Sequence, residues 1–258
     1  MKTVLSVLLA ALLLGAAWAA LFADEALPAP PKDAPPMRIM PAPKAVAIDG
    51  ALKDWNTSGK IGPVTFDEEM KDDYNGTFYA MYDADNLYLA ATIVEPHLPF
   101  NTYPNRGIGA WNGDDLIIRM SSNPALPVPL QGSQESLKKC PDLFTADFWW
   151  NHLKKRTYWD GYLGMDGDHL TTEQMPGITV AVKPAKDGHG YTEEIKVPWK
   201  TINPAFHPKA GDQIALTWEV SLAGANPSEP TRAFQLFANG GGSWAFTSPN
   251  LWGKAVFK

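Results

Sequence analysis

The run Thr77-Phe78-Tyr79-Ala80-Met81-Tyr82-Asp83-Ala84-Asp85-Asn86-Leu87-Tyr88-Leu89-Ala90-Ala91-Thr92-Ile93-Val94 decides the fold class. Two segments rich in aromatic and aliphatic residues flank a polar stretch of four, and that layout predicts a β-hairpin with a tight turn. The same style continues outward along the chain. Strands are predicted at Asp115 to Met120, Ala146 to Trp150, Thr157 to Leu163, Ile178 to Lys183, Tyr191 to Val197, Ile214 to Ser221, Ala233 to Phe237 and Trp252 to Phe257. No segment sustains an apolar period of 3.6 residues, and 23 prolines and 21 glycines cut the chain into short pieces. The fold class is all-β, a jelly-roll-like β-sandwich of about ten short strands.

Toward the N-terminus the pattern changes. Met1 and Lys2 precede an uncharged Leu- and Ala-rich run to Ala23, the layout of a signal peptide over residues 1–23, and Ala17-Trp18-Ala19 best fits the small residues a cleavage site needs. The expected location is secreted or periplasmic, without membrane insertion once the leader is cut. The run is also about long enough to cross a bilayer, so an uncleaved N-terminal anchor is the alternative. Residues 24–43 read as a Pro-rich linker, since the composition between Pro28 and Pro43 favours extended polyproline II. Residues 44–258 are left for one domain.

Composition narrows the partners. The 22 basic and 28 acidic side chains give a net charge of −6, a poor match for nucleic acid or an anionic membrane surface. The only cysteine, Cys140, allows no intramolecular disulfide, so stability rests on the core.

Five phrases, in order, carry a resemblance: Ile48-Asp49-Gly50 with Asp54-Trp55; Tyr82-Asp83-Ala84-Asp85-Asn86-Leu87-Tyr88-Leu89; Trp111-Asn112-Gly113-Asp114-Asp115-Leu116; Gly190-Tyr191-Thr192-Glu193-Glu194-Ile195-Lys196-Val197-Pro198-Trp199; and Trp252-Gly253-Lys254-Ala255-Val256-Phe257. Together they resemble the family 9 carbohydrate-binding modules and the wider DOMON-like sandwich group, over nearly the whole domain. The resemblance implies a poly- or oligosaccharide ligand clasped between two aromatic rings, with Trp111 and Trp244 in the matching places. Two indole faces supply only about 2.5 kcal/mol of apolar burial at ~25 cal/mol/Å². Even millimolar binding needs about 4 kcal/mol, so hydrogen bonds must add to it. Asn112, Asp114 and Arg106 are the expected donors and acceptors. One departure is Ile117, where the family continues with a glutamate.

Other residues carry alternatives. Asp83, Asp85 and Asn86 with Glu95 form an oxygen-rich set suited to calcium, and turn chemistry accounts for the same residues. Haem is disfavoured: Met120, His97 and His152 are available, yet no spacing demands an axial pair. Glu194 is expected to pair with an Arg or Lys. Glu193 and Glu194 point to opposite faces of a strand, so they cannot act as the paired acid and base of glycoside cleavage, and the expectation is a non-catalytic binding protein. An envelope-associated interaction or scaffold protein is the competing function. The aromatic segment around Phe148-Trp149-Trp150, Tyr158-Trp159 and Tyr162 reads either as a second ligand surface or as a partner-protein patch.

Overall fold

The structure, a computed structural model, describes residues 35–43, 45–65, 67–104, 109–165, 169–224, 232–242 and 245–258. The expected signal peptide and the first part of the linker lie outside the described residues. Thirteen strands are present among those described: β1 (Met37–Pro41), β2 (Ile61–Thr65), β3 (Asn75–Tyr82), β4 (Asn86–Val94), β5 (Asp115–Ser121), β6 (Leu143–Asn151), β7 (Arg156–Leu163), β8 (Leu170–Thr171), β9 (Thr179–Pro184), β10 (Tyr191–Pro198), β11 (Gln213–Ala223), β12 (Arg232–Ala238) and β13 (Lys254–Phe257). All ten strands expected from the sequence are there, within a few residues.

Hydrogen bonding connects them in one curled sheet of order β8-β7-β6-β5-β11-β13-β1-β3-β4-β10-β9, with β12 added to β11 and β2 to β3. The curl brings two layers face to face, the all-β sandwich the sequence predicts. Between them lies a core that includes Phe78, Leu87, Leu89 and Ile195 from one layer and Leu116, Ile118, Phe148, Leu216 and Trp218 from the other. Alternation sets the faces. On β4, Leu87, Leu89, Ala91 and Ile93 point into this core, whereas Tyr88 and Ala90 pack outward with Trp55 and Met81.

The N-terminal strand corrects the domain boundary. Met37–Pro41 falls within the expected linker, yet it pairs in parallel with β13 through Met37 to Ile39 and with β3 through Met40 and Pro41. Two alternating apolar residues, Met37 and Ile39, are fully buried, which outweighs the extended bias of the flanking prolines. The domain therefore starts at or before Met37. β2 and the two-residue β8 were also unpredicted: β2 is interrupted by Pro63 and β8 is too short to show a pattern.

Because Ile39 is fully buried where the layers join, Ile39→Ala should lower unfolding free energy by about 2–5 kcal/mol in denaturant titrations. A change under about 0.5 kcal/mol would place this strand outside the folded unit.

Candidate functional site

The outer face of β5, β6, β7, β11 and β12 should be polar and solvated by the alternation rule. It is polar, but much of it is buried. Glu219, Ile117, Asp147 and Asp160 stand side by side across β11, β5, β6 and β7, and the next row is Thr217, Arg119, Thr145 and Tyr162. Ile117, Arg119, Thr145, Asp147, Tyr162 and Glu219 line a cavity of about 430 Å³, closed further by Gln235, His169, Trp111 and Phe246. Trp111 and Phe246 are exposed, at 37% and 43%, and form its aromatic rim. Polar groups below and exposed rings above are the composition of a small-molecule site.

Local bonding fixes Trp111. It sits in a 3-10 turn, Ala110–Asn112, entered through Gly109 with φ +97°. A Cβ on Gly109 would lie 2.6 Å from the Tyr103 ring, so both the backbone angle and the close approach require glycine. Tyr103 anchors the turn: its carbonyl accepts from the Trp149 indole (3.1 Å) and the Asn151 amide (2.6 Å), and its hydroxyl accepts from Asn112 (3.2 Å). The Asn101 amide donates to the carbonyls of Ala110 (2.8 Å) and Asp114 (3.1 Å). Beneath the turn Trp149 stacks on Tyr158.

The charges on the cavity floor are partly matched. Arg119 Nη1 donates to Glu219 Oε2 at 2.6 Å, and the Gln235 amide donates to the other oxygen. Arg119 Nε is buried with no hydrogen-bond partner among the described residues. His169 Nδ1 lies 3.0 Å from Asp160 Oδ1. Burial pushes the Asp147 carboxyl up to about 7; Asp160 and Glu219 push the same way, and Arg119 opposes them.

A second polar cluster closes one end of the core. Glu95, His97 and Asp114 hold their ligand atoms within 4.8 Å of one another. Both oxygens of Glu95, both of Asp115 and one of Glu193 are buried without a hydrogen-bond partner among the described residues. Burial pushes Glu95 up to about 10, reinforced by Asp114, and Asp114 itself up to about 6. Burial also raises Glu193 and Asp115. Unpaired carboxylates at this depth are costly unless they hold a proton or a cation. Glu95 Oε2 also lies 3.7 Å from His97 Nε2, so the donors that converge here, Glu95, Asp114 and His97, combine carboxylate oxygens with an imidazole nitrogen.

The residues expected from sequence fall in several places. Trp111 lines the cavity. Asn112 and Asp114 brace loops instead: Asn112 bonds Tyr103, and the buried Asp114 accepts the backbone N–H of Ala223 (2.6 Å) and of Phe100. Arg106 and Trp244 lie outside the described residues. Asp83 and Asp85 precede β4 and Glu95 follows it, about 30 Å apart at ~3.3 Å per residue, so no single ion reaches all three. Asp83 serves the hairpin turn, accepting from the N–H of Asp85 (2.8 Å) and Asn86 (2.7 Å) and from the Tyr88 hydroxyl (2.7 Å). Glu194 accepts the N–H groups of Asp49 (2.7 Å) and Gly50 (2.8 Å) rather than an Arg or Lys. The aromatic segment divides: Tyr162 lines the cavity, Trp149 and Tyr158 support the Trp111 turn, and Phe148 and Trp159 join the core. Arg119, Thr145, Asp147, Glu219 and Gln235 were missed. Their signal was a polar residue at every second position of otherwise apolar strands.

No protein-family model matches the sequence, and no curated protein does so at a significant level. Solved structures do match in fold. A family 9 carbohydrate-binding module from Caldicellulosiruptor kristjanssonii in complex with cellotriose superposes with a TM-score of 0.57 at 17% identity, over 86% of this chain and 93% of that one. Its complex with glucose gives 0.55 at 17% identity, over 86% and 95%. A Bacteroides uniformis protein of proposed carbohydrate-binding function gives 0.53 at 12% identity, over 86% and 98%. The chain has the fold of the family 9 carbohydrate-binding modules.

Two tryptophans test the assignment of rim against core. Trp111 is exposed and Trp218 fully buried, so Trp111→Ala should change unfolding free energy by less than about 1 kcal/mol and Trp218→Ala should cost about 3–5 kcal/mol. Denaturant midpoints of both variants measure the contrast.

Proposed function

We propose that this protein binds a carbohydrate non-catalytically outside the cytoplasm, in the cavity roofed by Trp111 and Phe246. The observation that carries the reading is that cavity: exposed aromatic rings stand over buried, hydrogen-bonding side chains on a sheet face. An indole suits the C–H face of a sugar ring, and Arg119, Thr145, Asp147, Glu219 and Gln235 supply donors and acceptors for its hydroxyls. The fold shared with modules solved with glucose and cellotriose supports the same reading. In this proposal Trp111 forms one side of an aromatic clasp with Phe246 in the same rim, and Trp244, outside the described residues, is the second ring the family resemblance implies. The uncharged N-terminal run supports export.

The buried acidic end supports a second role, a structural calcium ion held through Glu95 and Asp114 beside His97. A cation there would satisfy the Glu95 oxygens, which have no hydrogen-bond partner among the described residues, and would tie the segment after β4 to the one before β5. Sequence reasoning placed calcium at Asp83, Asp85 and Glu95, and only Glu95 stays in the set.

The saccharide reading predicts saturable binding of glucose-type oligosaccharides by calorimetry. Trp111→Ala and Arg119→Met should each weaken that binding about tenfold or more. Full affinity in both variants would remove the cavity from consideration. The calcium reading predicts that a chelator lowers the melting temperature and that added calcium restores it, since a ligand at 100 times its Kd stabilises by about 2.7 kcal/mol. Glu95→Gln should abolish the calcium-dependent shift. An unchanged melt would leave a proton shared by Glu95 and Asp114 as the account of this end.

A further inference from the structure

The floor of the saccharide cavity carries more negative than positive charge. Glu219, Asp147 and Asp160 sit at one level on three strands, with Ile117 between the first two. Arg119 bonds Glu219, and His169 bonds Asp160. Even with His169 protonated, three carboxylates face two cations among the described residues. The one without a directly bonded cation is Asp147, which feels Arg119 only through space. It is 7% exposed, lines the cavity, and has no hydrogen-bond partner among the described residues. A carboxylate so buried, aimed into a ligand cavity, asks for a donor that the protein does not provide.

We infer that the cavity selects a saccharide carrying a free, protonated amino group over its neutral counterpart, with Asp147 receiving the ammonium. This rests on the saccharide reading above and adds the ligand's charge to it. A hydroxyl can donate one hydrogen bond to Asp147 and leaves its charge uncompensated. An ammonium donates and also cancels the charge, and such ionic hydrogen bonds are roughly twice as strong as neutral ones. Burial, with Asp160 and Glu219, holds the Asp147 carboxyl above its ordinary range, and Arg119 opposes them only in part. An N-acetyl group is neutral, so acetylation removes the advantage.

The test compares three trisaccharides of the same linkage, built from glucose, N-acetylglucosamine and glucosamine, by calorimetry on the full chain at pH 7, where the Asp147 carboxyl is about half ionised. The glucosamine trimer should bind about tenfold or more tightly than the glucose trimer, and the acetylated trimer should show no such gain. Asp147→Asn, with its fold verified by thermal melting, should narrow the gap between glucosamine and glucose at least threefold. Equal affinity for the glucose and glucosamine trimers in the parent protein overturns the inference while leaving saccharide binding intact, and needs no variant. A gap that survives Asp147→Asn unchanged overturns the role of Asp147. Binding of none of the three overturns the saccharide reading itself, and this inference with it.

Discussion

The two layers of this protein are joined through one short strand. β1 gives its first three residues to β13 and its last two to β3, both in parallel, so the hydrogen-bond ladder passes from one layer to the other without a free edge between them. The last residue adds to the seam, since the Lys258 N–H donates to the Ile39 carbonyl (2.9 Å) and the Tyr82 hydroxyl to the Lys258 carbonyl (2.8 Å). Core and cavity both depend on that closure. With the curl set, β5 and β11 can bury Leu116, Ile118, Leu216 and Trp218 on one side and present Ile117, Arg119 and Glu219 on the other.

Polar burial on that outer face costs the fold stability. A buried ion pair such as Arg119 with Glu219 stabilises little in itself, because desolvation offsets the attraction, while removing one partner costs about 3–5 kcal/mol. Its use here is geometric. The pair holds the guanidinium in a fixed orientation on the cavity floor, with Nε buried and unpartnered among the described residues. The rim is held in a similar way: the 3-10 turn carrying Trp111 is tied through Tyr103, Asn101 and Trp149, which restrict the ring without burying it.

The cavity and the acidic end of the core lie on one stretch of sequence. Trp111, Asp114, Asp115 and Arg119 belong to one turn and the strand that follows it. Asp115 feels Glu193 on the core side and Asp147 and Glu219 on the cavity side. Asp115 therefore couples the charge of the two places through low-polarity protein.

The sequence by itself determined the all-β class, ten of the strands and the hairpin at Asp83 to Asn86, because period-two alternation and turn residues are local signals. It also brought Trp111 to attention, through the family resemblance of the phrase that begins with it. Only the tertiary structure decided that Met37–Pro41 is a strand, since its reward is the burial of Met37 and Ile39 against strands far away in the chain. It alone separated Asp83 from Glu95, drew Asn112 and Asp114 into loop bracing, and gathered Arg119, Thr145, Asp147, Glu219 and Gln235 around one cavity. Alternation shows that a polar residue faces away from the core. Which polar residues meet depends on strand order and register, set by long-range backbone pairing that no local pattern encodes.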